Sequence, residues 1–263
     1  MYRFEFKRPS TIDEAVSMFE ASDDATYISG GMTLVPTLKQ RLAMPSDLID
    51  LAKIASLKGI SLDGQRLVIG AMTTHAEIAV NAVVKENIPA LAALADDIGD
   101  ASVRNRGTIG GSVANNDPAA DYPAAILALE ADVITNKRTI SAAEFFVEMF
   151  ETALDEGEIV ISVSLPVCKT ANYQKFSNPA SRYAIAGVFV AKTPSGARVA
   201  VTGAGPYVFR QPEMEAALDG NFSADAVNNI TISPDGLNED VHASPTYRAS
   251  LIKTLAARAI AKI

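Results

Sequence analysis

A chain of 263 residues with 48% apolar side chains can fill one large core or two modest ones, which excludes a disordered segment or a small stapled scaffold. A net charge of −8 argues against a nucleic-acid surface, which needs clustered Lys and Arg to replace phosphate counterions. Cys168 is the only cysteine, so an internal disulfide and a chain-held iron–sulfur cluster are both excluded, and His75 and His242 are a poor basis for a protein-only zinc site.

The opening MYRFEFKRPS lacks the apolar core of a signal peptide, and no apolar run reaches the length of a membrane span, so a cytoplasmic location is expected. Thr11-x-x-Glu14 is a capping-box pattern, and Ile12, Ala15, Val16 and Phe19 follow at helical spacing to about Ala21. Thr26–Ser29 reads as a strand running into Gly30-Gly31. A second helix should then carry Leu34, Leu38 and Leu42 on one face, with Pro36 in its first turn, before a strand over Asp47–Leu51. Strand, glycine turn, helix and strand in that order either form a plain tight turn or let a phosphate approach free N–H groups. The pattern is neither GxGxxG nor a P-loop.

Ile60–Leu62 and Leu67–Ile69 flank Asp63-Gly64 as a hairpin. Thr74-x-x-Glu77 is another capping box, with His75 expected as a solvated or first-turn side chain rather than a base. Asn87–Gly99 reads as a helix burying Leu91, Leu94, Ala95 and Ile98, and Tyr122–Glu130 as a buried one. Asp132–Asn136 and Ile159–Leu165 are strand-like, with Ser141-x-x-Glu144 a further cap signal and Pro166 a stop. From Asn172 the texture changes to strands over Tyr173–Phe176, Ala184–Lys192 and Arg198–Thr202, then helices over Pro212–Leu218 and Tyr247–Ile260. A boundary is placed near Val167–Ala171.

The stretch Arg104–Asp121, RNRGTIGGSVANNDPAAD, stands out because three glycines lie among Thr108, Ser112, Asn115 and Asn116. Such a stretch can bring backbone close to a polar ligand and surround it with donors. Asp117 precedes Pro118 and is read as a helix cap, Arg104 and Arg106 as surface or structural pairs, and Cys168 as inert. Two donor-rich cradles about eighty residues apart could together grip a diphosphate without a metal.

The segments ISGGMTLVPTLKQRL, IGAMTTHAEI, VRNRGTIGGSVANNDPAADYPAAILAL, EIVISVSLP, YQKFSNPASRYAIAGVFVA and VTGAGPYVFRQPEMEAAL, in that order, resemble the FAD-binding medium subunit of molybdenum hydroxylases. That family includes carbon monoxide dehydrogenase medium chains and the flavin domain of xanthine dehydrogenase, and the resemblance spans almost the whole chain. It implies an α+β fold: a two-subdomain, vanillyl-alcohol-oxidase-like FAD-binding domain over residues 1–167 (subdomains about 1–56 and 57–167), then a smaller C-terminal α+β domain with an antiparallel sheet over 172–263.

The resemblance also implies FAD contacts. Tyr27, Ile28, Ser29, Gly30, Gly31, Met32, Thr33 and Leu34 correspond to a first loop at the diphosphate, and Thr108, Ile109, Gly110 and Gly111 to a second, with Asn115 beyond it. Ile98 and Val103 fall where relatives line the flavin pocket, Asp121 where an acidic residue binds the sugar-like portion, Val160 at a backbone contact, and Lys175 at a basic position near the flavin. Tyr183 is either an aromatic over the isoalloxazine ring or a core tyrosine. Relatives of the xanthine dehydrogenase branch carry an acidic residue there, so the chain leans toward the carbon monoxide dehydrogenase branch. No catalytic acid–base pair, nucleophile or metal ligand is expected.

As an oxidoreductase subunit the chain would receive electrons from two [2Fe–2S] clusters on a small partner. Substrate would be hydroxylated at a molybdenum cofactor on a large partner, in a dimer of heterotrimers. The alternatives are a free-standing FAD oxidoreductase and a non-catalytic nucleotide-binding assembly module.

Overall fold

The computed structural model describes residues 1–263. Its first unit comprises β1 (Glu5–Lys7), α1 (Ile12–Glu20), β2 (Ala25–Ile28), α2 (Leu34–Lys39) and β3 (Asp47–Asp50), with the strands parallel in the order β1-β3-β2. Thr11 caps α1 by accepting the Glu14 N–H, whereas the Glu14 carboxylate turns back to the Ser10 N–H rather than to that of Thr11. Leu42 lies outside α2 and is exposed. The helix stops earlier because Arg41 adopts φ 61°, letting its N–H reach Leu38 O and that of Leu42 reach Thr37 O, the paired bonds of a Schellman end.

The second unit runs through β4 (Ile60–Asp63), β5 (Arg66–Gly70), α3 (His75–Val80), α4 (Ala82–Asn87), α5 (Pro89–Asp96), α6 (Ala101–Arg104), α7 (Ile109–Asn115) and α8 (Tyr122–Ala128). It continues with β6 (Asp132–Thr135), β7 (Thr139–Ser141), α9 (Ala142–Phe145), β8 (Phe146–Glu148), β9 (Glu151–Thr152) and β10 (Val160–Pro166). Five of these strands form an antiparallel sheet in the order β4-β5-β10-β6-β7. The helix expected over Asn87–Gly99 is confined to α5, opened by Pro89 at its first turn, so Ile98 and Gly99 fall in the connection beyond it. Ser141 binds the Glu144 carboxylate through its hydroxyl but caps no backbone N–H of α9.

The third unit is an antiparallel sheet of β11 (Ala171–Ser177), β12 (Ala184–Thr193), β13 (Gly196–Thr202) and β14 (Phe209–Arg210), followed by α10 (Pro212–Gly220), α11 (Ala224–Asn228) and α12 (Pro245–Ile260). Strand β12 is buried on both faces, which explains why AIAGVFVAKT is almost continuously apolar. Val188 and Val190 face the cluster built with α10 and α12, whereas Phe189 and Ala191 join the large cluster that begins at Leu67. The division proposed near residues 167–172 therefore separates two sheets, while one apolar core continues across it. No helix is long and apolar enough to cross a membrane.

Candidate functional site

A cleft of about 520 Å³ opens where the three units meet. Its floor holds the connection from β2 to α2. Gly31 takes φ 73° there, a left-handed turn that suits glycine. The backbone N–H groups of Ser29, Gly30, Gly31, Met32, Thr33 and Leu34 make no hydrogen bond within the chain. Six consecutive free donors on residues that line a cleft offer a site for an oxyanion, because each unpaired N–H needs a partner once the ligand excludes water.

The second glycine stretch works differently from the cradle expected of it. Thr108 Oγ1 accepts the Gly111 N–H at 3.1 Å and so starts α7. The N–H groups of Ile109 and Gly110 go to Thr73 O and Ala71 O at 3.1 and 2.9 Å, and that of His75 goes to Gly107 O at 3.0 Å. These donors are spent within the chain. A Cβ on Gly110 would lie 2.5 Å from that of Ala71, so loop packing requires this glycine. The Thr108 hydroxyl bonds Ser29 Oγ at 2.6 Å and ties the two loops together.

Tyr27, Ile28, Met32, Leu34, Ile98, Val103, Asn115, Asp121, Val160 and Tyr183 all line the cleft, as do Thr108, Gly110 and Gly111. Ile109 is fully buried behind it. Tyr183 is 44% exposed at the rim and is not a core tyrosine. Lys175 stands behind the wall with its side chain 1% exposed, 3.2 Å from Asp121 Oδ1 and 3.4 Å from Asp97 Oδ2, and it donates to Asp97 O at 2.7 Å. The Tyr173 hydroxyl donates to Asp121 Oδ1 at 2.5 Å. Gly187 makes room for that hydroxyl, since a Cβ there would sit 2.2 Å from it. Burial raises the Asp121 carboxyl to about 6, with Lys175 opposing the rise.

Asp117 does not cap α8, which begins at Tyr122. Its Oδ1 instead accepts the Ala119 N–H at 2.9 Å in an Asx turn, and burial pushes its carboxyl up. Arg104 is structural, donating to Ile98 O and Gly99 O at 3.1 Å and pairing with Asp96 at 3.7 Å. Asn116, at φ 42°, ends α7 and donates to Glu148 O and Glu151 O at 2.8 Å each, fixing the β8–β9 hairpin. Cys168 is buried, which pushes its thiol up.

His75 takes the first-turn position expected of it but not the solvated one. Both arms of the Thr74–Glu77 capping box form, placing His75 in the first turn of α3, but it is buried against the cleft rather than solvated. The capping box could locate the helix start; Gly107 and Tyr122, both distant in sequence, lie against the ring. Burial, with Arg104 adding to it, lowers the imidazole to about 4. The folded chain therefore prefers neutral His75. This contribution is complete above the unfolded value near 6.5 and is lost as pH falls through about 4. In urea unfolding, the change in stability from pH 7 to pH 4 should be less favourable for wild type than for His75→Leu by about 3 kcal/mol.

Residues 2–168 match the family described as the FAD binding domain in molybdopterin dehydrogenase. The chain is 32% identical to the carbon monoxide dehydrogenase medium chain of Hydrogenophaga pseudoflava, covering 98% of this chain and 96% of that one. It is also 32% identical to the nicotine 6-hydroxylase medium subunit of Paenarthrobacter nicotinovorans, over 97% and 95%. Among solved structures, carbon monoxide dehydrogenase from H. pseudoflava lacking the Mo-pyranopterin moiety superimposes with a TM-score of 0.88 at 33% identity, over 98% and 96% of the two chains.

Proposed function

The chain belongs to the FAD-binding medium subunits of molybdenum hydroxylase-type dehydrogenases, as the flavoprotein subunit of an oxidoreductase, and from that premise we propose that it relays electrons from iron–sulfur clusters on a small partner to an external acceptor. A large molybdopterin partner would carry substrate hydroxylation, in a cytoplasmic dimer of heterotrimers. One cysteine cannot ligate a cluster, which supports placing the clusters on another chain. FAD, when bound, supplies a redox centre able to exchange electrons one at a time.

The observation that carries this reading is the run of free N–H groups from Ser29 to Leu34 in a cleft whose lining also includes Val160 and Tyr183. The first loop would hold the diphosphate, at about 1.5–3 kcal/mol for each charge-assisted bond. Thr108 would keep that loop in place through Ser29, and Asp121 would meet the sugar-like portion with Lys175 and Tyr173 fixing its orientation. Ile98, Val103 and Tyr183 would enclose the ring system and exclude water from it, Tyr183 from the exposed rim.

Purification tests the cofactor directly. The protein should be yellow, release FAD on denaturation, and reach one FAD per chain on titration. A colourless chain that takes up no added FAD would overturn the proposal.

A further inference from the structure

His75 is 4% exposed, yet neither ring nitrogen makes a hydrogen bond within the chain, and Nδ1 is fully enclosed. A neutral imidazole carries one donor and one acceptor, and burying either unpaired costs about 1–3 kcal/mol. Such groups in folded proteins are met by a ligand or an ordered water. The ring lines the cleft and lies against Gly107, where a Cβ would be 2.5 Å from Nε2. Nothing larger than glycine at 107 would leave the imidazole in this position.

We propose that His75 is a cofactor-binding residue whose imidazole hydrogen-bonds FAD in the cleft through Nε2, the nitrogen that is not enclosed. The inference rests on the FAD reading above. A trapped water is the weaker partner because a buried water needs two to four polar neighbours. Beside this ring the Gly107 carbonyl is already paired with the N–H group of His75. The Tyr122 hydroxyl is unpaired as well, and its ring is tilted 54° against the imidazole at 5.2 Å between centroids. Burial holds the imidazole neutral near pH 7, so that one nitrogen can donate while the other accepts. FAD presents both donors and acceptors along its length.

The test compares the full-length wild type with His75→Leu, His75→Gln and His75→Asn, the two amides placing a polar group near Nε2 or Nδ1 respectively. FAD affinity is measured by titration and apoprotein melting is followed at pH 7. His75→Leu should weaken FAD about tenfold, while the apoprotein melts no lower than wild type because an unpaired polar group has been removed. His75→Gln should recover most of the affinity, and the imidazole nitrogen resonances of wild type should shift on adding FAD. Unchanged FAD affinity in His75→Leu would overturn the proposal and point to a water-filled site. Apoprotein destabilisation in parallel with lost affinity, unrescued by either amide, would also overturn it by showing a packing role. Wild type that binds no FAD would instead defeat the functional reading itself.

Discussion

Gly30→Ala should lower FAD affinity by about a hundredfold, roughly 2.7 kcal/mol, while leaving most of the fold intact. A Cβ at residue 30 would stand 2.1 Å from Arg106 O, 2.7 Å from its carbonyl carbon and 2.9 Å from Gly107 Cα. All three are backbone atoms, so no side chain can rotate away. The clash must be relieved by moving one loop off the other, at about 1–3 kcal/mol of overpacking. That movement would part Ser29 Oγ from Thr108 Oγ1, now 2.6 Å apart, and displace the free N–H groups that follow Ser29. Fluorescence titration with FAD, alongside circular dichroism of the apoprotein, separates the two effects. A Gly30→Ala protein with wild-type affinity would show that the loops do not need their close approach. Gly31→Ala should be milder, since it meets only the Val35 and Ile28 side chains and its cost comes from φ 73°.

Asp121→Ala should destabilise the protein by about 3–5 kcal/mol, because it leaves a buried ammonium short of its principal counter-charge. Lys175 would keep Asp97 at 3.4 Å, but the Asp97 side chain is 61% exposed and solvent weakens its pull. The Tyr173 hydroxyl would also lose its acceptor. Asp121→Asn, which can still accept from Tyr173, should cost less. Asp121→Leu combined with Lys175→Met should recover much of the loss, so a double-mutant cycle in urea should give a coupling well above that of a surface pair. A coupling near zero would mean that the buried pair is energetically idle.

Asp121 and His75 also oppose each other in acid. The raised Asp121 carboxyl makes its contribution fullest below the unfolded value near 3.8, and that contribution is lost as pH rises through about 6. His75 contributes in the opposite sense over an overlapping range. The wild-type stability profile in mild acid should be flatter than that of either single variant.

The element pattern was legible wherever periodicity or a cap signal decided it: α1, α8, the β4–β5 hairpin and the long strands of the third sheet. The glycine stretches were legible as a site, but the reason for each glycine was not. Gly30 and Gly110 look like ligand-facing positions in sequence, yet their missing side chains are required by Arg106 and Ala71, contacts between segments far apart in the chain. Lys175 likewise reads as a residue near the cofactor and stands behind Asp121, because alternation along β11 points it inward toward the carboxylate. His75 was masked by its helix cap, which reports the local turn and carries no information about what covers the ring.

The central claim is best tested by electron delivery. Mixed anaerobically with its own pre-reduced iron–sulfur partner, purified from the native complex, the FAD-loaded chain should lose its visible flavin absorption, and organic substrates should not bleach the isolated chain. A flavin that stays oxidised beside the reduced partner, but is bleached by an organic substrate added to this chain alone, would contradict the claim and identify a free-standing oxidoreductase.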